Sequence, residues 1–309
     1  MVDGESMRVG AIDCGTNSIR LLIADISGTN FREIYREMEV VRLGQGVDKT
    51  GQFDPEAVKR TLEATQKYSE VIRSKGVEKI RFCATSATRD ATNRNLFIDG
   101  VREILGVEPE VIPGTEEAAL SFMGATKELL PADGPFLVVD IGGGSTEFVL
   151  GTAKVDSAKS VNIGCVRMSE RHLNSQPPTP DQITSATKDI DAAINDAGAT
   201  VDFSQAQTLV AVAGTATTIA AAALDLPTYD RLAIHLSRIS AEKVHHVARM
   251  YQSMTRDEIA ALPYMHPGRV DVITSGALVL SRVMTLTGAI EFVASESDIL
   301  DGIAWGLAL

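Results

Sequence analysis

The chain has 309 residues, 44% of them apolar, with 41 acidic against 29 basic side chains and a net charge of −12. That balance speaks against nucleic acid or an anionic membrane surface as partner, because phosphate-backbone binding rests on neutralisation by Lys and Arg. Three cysteines without CxxC spacing (Cys14, Cys83, Cys165) give neither a disulfide framework nor a zinc site, and no leader or long apolar run is visible, so a cytoplasmic chain of about two domains is expected.

In chain order, the first element is AIDCGTNSIRLLIA at 11–24. It reads as strand, tight turn and strand, a β-hairpin whose tip carries Gly15, Thr16, Asn17 and Ser18 just after Asp13. Asp54 and Pro55 then open a helix through Lys75, with Val58, Leu62, Tyr68 and Ile72 on one face and Gly76 as its stop. VEKIRFCAT, 77–85, reads as a buried strand delivering 86–93 at its C-terminal end, where open α/β sheets present ligand loops. A helix at about 96–105 and a short strand to Pro113 follow. Thr115 caps a helix to Leu130, with Glu116 and Glu117 in the first turn, where the helix dipole stabilises acidic residues. PADGP, 131–135, is the expected linker. Domains are accordingly expected at 1–130 and 131–309, with a terminal helix at about 298–309 packing back on the first.

The second half repeats the theme. VVDIGGGSTEFVL, 138–150, places Gly142, Gly143, Gly144, Ser145 and Thr146 between apolar runs, with Asp140 before them and Glu147 after. Consecutive glycines weaken an ordered element by roughly 0.5–1 kcal/mol each relative to Ala, so a backbone without side chains must serve a purpose. The stretch matches 11–24 at a constant offset of 127: Asp13 with Asp140, Gly15 with Gly142, Ser18 with Ser145. Two such hairpins suggest duplicated domains facing each other. Their N–H groups would bind phosphate oxygens, and the paired aspartates would hold or orient a divalent metal. Each copy alone also reads as an ordinary hairpin. Further strands to about 163 precede a helix at 166–174, the loop QPPTP and a helix to Ala197. LVAVAGTATTI, 209–219, is a strand running into a small-residue helix, a junction that favours anions. Helices at about 240–254 and 270–286, the strand AIEFVA and the helix 296–309 complete the chain.

These motifs resemble the actin/Hsp70/sugar-kinase superfamily and, within it, the exopolyphosphatase/guanosine pentaphosphatase family. The resemblance is carried by AIDCGTNSIRLLIAD (11–25), ATSATRDATN (84–93), IPGTEEAALSFMGA (112–125), VVDIGGGSTEFVLG (138–151), VNIGCVRMSER (161–171) and RVDVITSGALVL (269–280), nearly the whole chain. It implies an α/β fold of two ribonuclease-H-like (actin-like ATPase) domains facing a central cleft. It also implies Mg²⁺-dependent hydrolysis of terminal phosphoanhydride bonds in inorganic polyphosphate or guanosine pentaphosphate. In-line attack of water needs neutralised oxygens and a base.

The family's catalytic glutamate matches Glu117, with Glu116 as alternative, although both also read as ordinary helix-start acids. Arg89 offers a planar guanidinium for bidentate phosphate contact, or a surface pair with Asp90. Asp13, Asp140 and Glu147 are the metal candidates, and Glu147 also reads as a solvent-facing strand position. Arg20, Arg94, Arg167 and Arg171, with His172, are candidates for a basic wall. An ATP-dependent kinase and a non-catalytic phosphate-ligand sensor are the other readings. A homodimer is a common solution for such a chain. The absence of the extra helical domains of many relatives leads to the expectation of a preference for short polyphosphate.

Overall fold

β1 (Met7–Cys14) and β2 (Ser18–Ser27) pair antiparallel in the computed structural model, which describes residues 6–308. The first and last positions of the sequence readings, 1–5 and 309, lie outside the described residues. β3 (Asn30–Val40) extends the hairpin, while β4 (Lys79–Ala84) and β5 (Glu110–Val111) add parallel strands on the other side of β1. Among the described residues this gives a mixed sheet ordered β3-β2-β1-β4-β5.

Side chains alternate across a strand, so β1 feeds two cores. Ile12 and Cys14 join Tyr68, Ile72 and Phe97 from the helices Pro55–Ser74 and Asn95–Leu105. Val9 and Ala11 join Leu120, Ile299, Ile303 and Trp305 from the helices Gly114–Thr126 and Ile299–Leu307. Asp13 continues the second series, on the face covered by the helix that carries Glu117. The terminal helix is tied to β3 by Arg36, whose Nη2 donates to Asp301 Oδ1 at 2.5 Å. It also approaches the Gly114–Thr126 helix closely: a methyl group on Gly302 would sit 2.0 Å from the carbonyl oxygen of Leu120.

A second mixed sheet is built from β6 (Phe136–Ile141), β7 (Thr146–Gly151), β8 (Val155–Val161), β9 (Thr208–Val212), β10 (Arg238–Ser240) and β11 (Glu291–Ala294), ordered β10-β11-β9-β6-β7-β8. Leu137, Val139 and Ile141 of β6 and Phe148 and Leu150 of β7 enter one large core with the helices Pro180–Gly198, Ala241–Ser253 and Ile273–Thr287. Asp140 and Glu147 therefore lie on the opposite face. Contacts divide the chain into two α/β units: one ends at Gly124 and resumes at Ile299, and the other is Ala125–Asp298.

Several elements differ from the sequence reading. The helix expected at 115–130 is Gly114–Thr126, and both Glu116 N and Glu117 N donate to Pro113 O at 3.0 Å, so Thr115 lies inside the first turn. It cannot run to Leu130, because Pro131 forces the residue before it into the extended region. PADGP forms a short 3₁₀ turn, Pro131–Asp133, within the second unit. The stretch after β4 is a helix, Ser86–Asp90, and the helix of the Gly-Thr junction begins at Ala213. The segment 30–40, for which the sequence shows no clear element, is β3. No helix among the described residues is long and apolar enough to cross a membrane.

Candidate active site

The two hairpins repeat in detail. Gly15 N donates to Ser18 O at 3.0 Å, and Gly142 N to Ser145 O at 3.0 Å. One register step below each turn, Asp13 faces Arg20 and Asp140 faces Glu147. Here the copies diverge. Arg20 donates to Asp13 Oδ2 from Nε at 3.0 Å and from Nη2 at 2.6 Å. Asp13, expected beside a metal, is thus already engaged by a guanidinium. In the second hairpin both facing groups are carboxylates, and Asp140 and Glu147 are both buried. The solvent-facing reading of Glu147 does not hold, since every residue of β7 is buried.

Each tip is docked through its carbonyl side. Thr16 O accepts from Gly44 N, and Asn17 O from Val41 N and Arg42 N. In the second unit Gly142 O accepts from Cys165 N, and Gly143 O from Val166 N and Arg167 N; these donors open the helix Cys165–His172. Gly144 O accepts from Arg167 Nε at 2.6 Å. A trans peptide points its C=O and the following N–H in opposite directions. With those three carbonyls turned to the helix start and Arg167, the N–H groups of Gly143, Gly144 and Ser145 point the other way. Successive N–H groups so aligned make an anion-binding concavity.

The close approach needs Gly164. A methyl group there would lie 2.3 Å from the carbonyl carbon and oxygen of Gly143 and 2.5 Å from Gly144 N. Gly44 has the same part beside the first tip, where a methyl group would meet Thr16 Cγ2 at 2.3 Å. Neither is among the residues expected from the sequence. Gly164 had a visible signal, a glycine just ahead of a helix inside VNIGCVRMSER; Gly44 lay in a stretch given no element.

β4 ends beside the first hairpin, with Thr85 N donating to Cys14 O at 3.1 Å, and the helix Ser86–Asp90 begins there. Ser86 Oγ pairs with Thr16 Oγ1 at 2.9 Å. Arg89 turns inward: its Nη1 donates to Ile112 O at 2.9 Å and to Glu117 Oε2 at 2.6 Å. Burial raises the Glu117 carboxyl above the usual glutamate range, and the Asp13 charge adds to the rise. Arg89 and a hydrogen bond from Thr85 pull in the opposite direction without cancelling it. Glu116 sits quite differently. Its side chain is 41% exposed, against 11% for Glu117, and it pairs with Arg81 at 2.5 Å.

Not every candidate joins these groups. Thr146 gives its hydroxyl to Ile163 O, a structural bond. Arg171 and His172 both engage Asp189, at 2.7 and 2.9 Å. Arg94 is exposed at the start of the helix Asn95–Leu105. At the Gly-Thr junction, Arg269 Nη1 binds Gly214 O at 2.8 Å and Thr218 Oγ1 at 2.6 Å. Among the described residues no three His, Cys, Asp or Glu side chains cluster to hold a metal.

Residues 22–306 match the Ppx/GppA phosphatase family. The chain is 47% identical to Exopolyphosphatase 2 of Mycobacterium tuberculosis (strain ATCC 25618 / H37Rv) over 314 aligned positions, covering 97% of this chain and 98% of that protein. Among solved structures it resembles an exopolyphosphatase-like protein, with a TM-score of 0.95, 45% identity and 98% of each chain covered. It also resembles the Aquifex aeolicus PPX-GPPA enzyme, with a TM-score of 0.81, 26% identity, and 97% and 99% of the two chains covered.

Proposed function

We propose that this chain, which belongs to the Ppx/GppA phosphatase family, is a Mg²⁺-dependent exopolyphosphatase releasing orthophosphate from the ends of inorganic polyphosphate. The observation that carries the reading is Glu117, a buried carboxylate with raised proton affinity, held by Arg89. Such a group suits a general base working near neutral pH.

In this reading water attacks the terminal phosphorus and its proton passes to a Glu117 carboxylate oxygen. The bridging P–O bond breaks, leaving orthophosphate and a chain one phosphate shorter. Arg89 stabilises charge on the phosphoryl oxygens. Each hairpin tip, Gly15 to Ser18 and Gly142 to Ser145, offers backbone donors to phosphate oxygens. Asp140 and Glu147 would hold Mg²⁺, which when bound would supply positive charge to the reaction. Two neighbouring carboxylates fit this ion, which keeps several waters and takes one or two carboxylates beside substrate phosphates. Asp13 is assigned to holding Arg20.

The test is phosphate release from polyphosphates of several lengths, guanosine pentaphosphate and ATP, with and without Mg²⁺. Polyphosphate is the expected substrate, and chelation should abolish turnover. Turnover of guanosine pentaphosphate alone would make the protein a nucleotide phosphohydrolase, acceptor-dependent transfer a kinase, and tight binding without turnover a sensor. Full activity in excess chelator would remove the metal. Short chains should be favoured per chain end, because the protein carries a net charge of −12 and Arg171 is committed to Asp189. An advantage for long chains would overturn that preference.

The pH profile gives a second check. Glu117 must be ionised to accept a proton, and its carboxyl is raised. The acid limb of kcat/KM is therefore expected above the ordinary glutamate range. The Thr85 hydroxyl lowers that carboxyl, so Thr85→Val should move the limb to still higher pH. A limb that stays put in Thr85→Val would detach it from Glu117.

A further inference from the structure

Asp140, Glu147 and Ser160 form one row across β6, β7 and β8, with Asp140 opposite Glu147 and Glu147 opposite Ser160. Directly opposed residues of antiparallel strands put their side chains on the same face, and like charges so opposed repel. Glu147 nevertheless holds its place, fully buried, with Ser160 Oγ donating to its Oε1 at 2.6 Å. The first hairpin supplies a control. Its corresponding row is Asp13, Arg20 and Met38. There the first two side chains attract each other directly, and the third position has no hydrogen-bonding group. A hydroxyl stands on the outer strand in the row that carries two carboxylates, and not in the row that carries an ion pair.

We propose that Ser160 is a positioning residue for the reaction: it fixes the plane of the Glu147 carboxylate so that Glu147 and Asp140 can share a divalent cation. The inference rests on the assignment of Asp140 and Glu147 to the metal. Groups that orient a metal ligand typically contribute 10- to 100-fold in affinity. The hydroxyl does so without itself carrying a charge.

The test uses the full chain without substrate and reads Mn²⁺ binding from the electron paramagnetic resonance signal of the free ion. Wild type should bind, and Glu147→Gln should not. Ser160→Ala should bind about 10- to 100-fold more weakly, and so should Ser160→Cys, which keeps the size of the side chain but donates poorly. Ser160→Thr, which keeps the hydroxyl, should bind near wild type. In turnover assays Ser160→Cys should raise the Mg²⁺ concentration for half activity and recover most of kcat at saturating Mg²⁺. Wild-type protein that takes up no Mn²⁺ overturns the metal assignment and this proposal with it. Wild-type affinity in Ser160→Ala and Ser160→Cys, with Glu147→Gln inactive in binding, overturns the role of Ser160 alone. Equal weakening by Thr and Ala would also overturn it.

Discussion

Glu117→Gln should lower turnover on the order of 10²- to 10⁴-fold while leaving substrate binding in place. Glutamine keeps the shape of the side chain and can still accept a hydrogen bond from Arg89, but it cannot take a proton from water. Its neighbour provides the contrast. Glu116 is a surface partner of Arg81, which also binds Glu110 at 2.7 Å, and exposed pairs of this kind are worth roughly 0–1 kcal/mol. Glu116→Gln is therefore expected to behave almost as wild type. Measuring kcat and KM for phosphate release in both variants decides the matter. Near-normal turnover in Glu117→Gln with an inactive Glu116→Gln would move the base by one residue.

Gly164→Ala should have the next largest effect, although Gly164 touches no reacting atom. The added methyl would lie 2.3 Å from the Gly143 carbonyl and 2.5 Å from Gly144 N, against backbone that has no rotamer to yield. The loop must move off the helix start, and its three N–H groups move with it. A misplacement near 1 Å can lower catalysis by about 10². The loss should fall on kcat/KM, and inorganic phosphate should protect the variant less against thermal unfolding than it protects wild type. Wild-type kinetics in Gly164→Ala would show that the loop does not depend on this contact.

How much of this was legible beforehand follows from what is local. A strand–turn–strand signature is a short-range property, so both hairpins could be read from 11–24 and 138–150, and the shared offset exposed the duplication. That Arg20 faces and binds Asp13 was not read, because it depends on the register of the hairpin. β3 escaped because FREIYREMEV mixes apolar and charged residues without clean alternation, as an edge strand with one half-exposed face permits. The order of importance within Glu116-Glu117 could not be read from the helix start. It depends on Arg81 and Arg89, which reach the two side chains from β4 and the helix after it. Thr146 looked like a phosphate ligand by composition, but its hydroxyl serves Ile163. The need for Gly164 and Gly44 arises only when two distant stretches of backbone touch.

The terminal helix carries a consequence for synthesis. Ile299–Leu307 leaves the ribosome after the whole of Ala125–Asp298, yet its apolar face belongs to the sheet made first. Until then Val9, Ala11, Leu22 and Ala24 lack the side chains of Ile303 and Trp305 that complete their core. Domains generally fold as units during synthesis, so the contiguous second unit can finish while the first still waits. The helix bearing Glu117 gains its Gly302 contact in that same step. Emergence of Ile299–Leu307, rather than of the motif around Glu117, therefore sets the moment at which the first unit can complete its core.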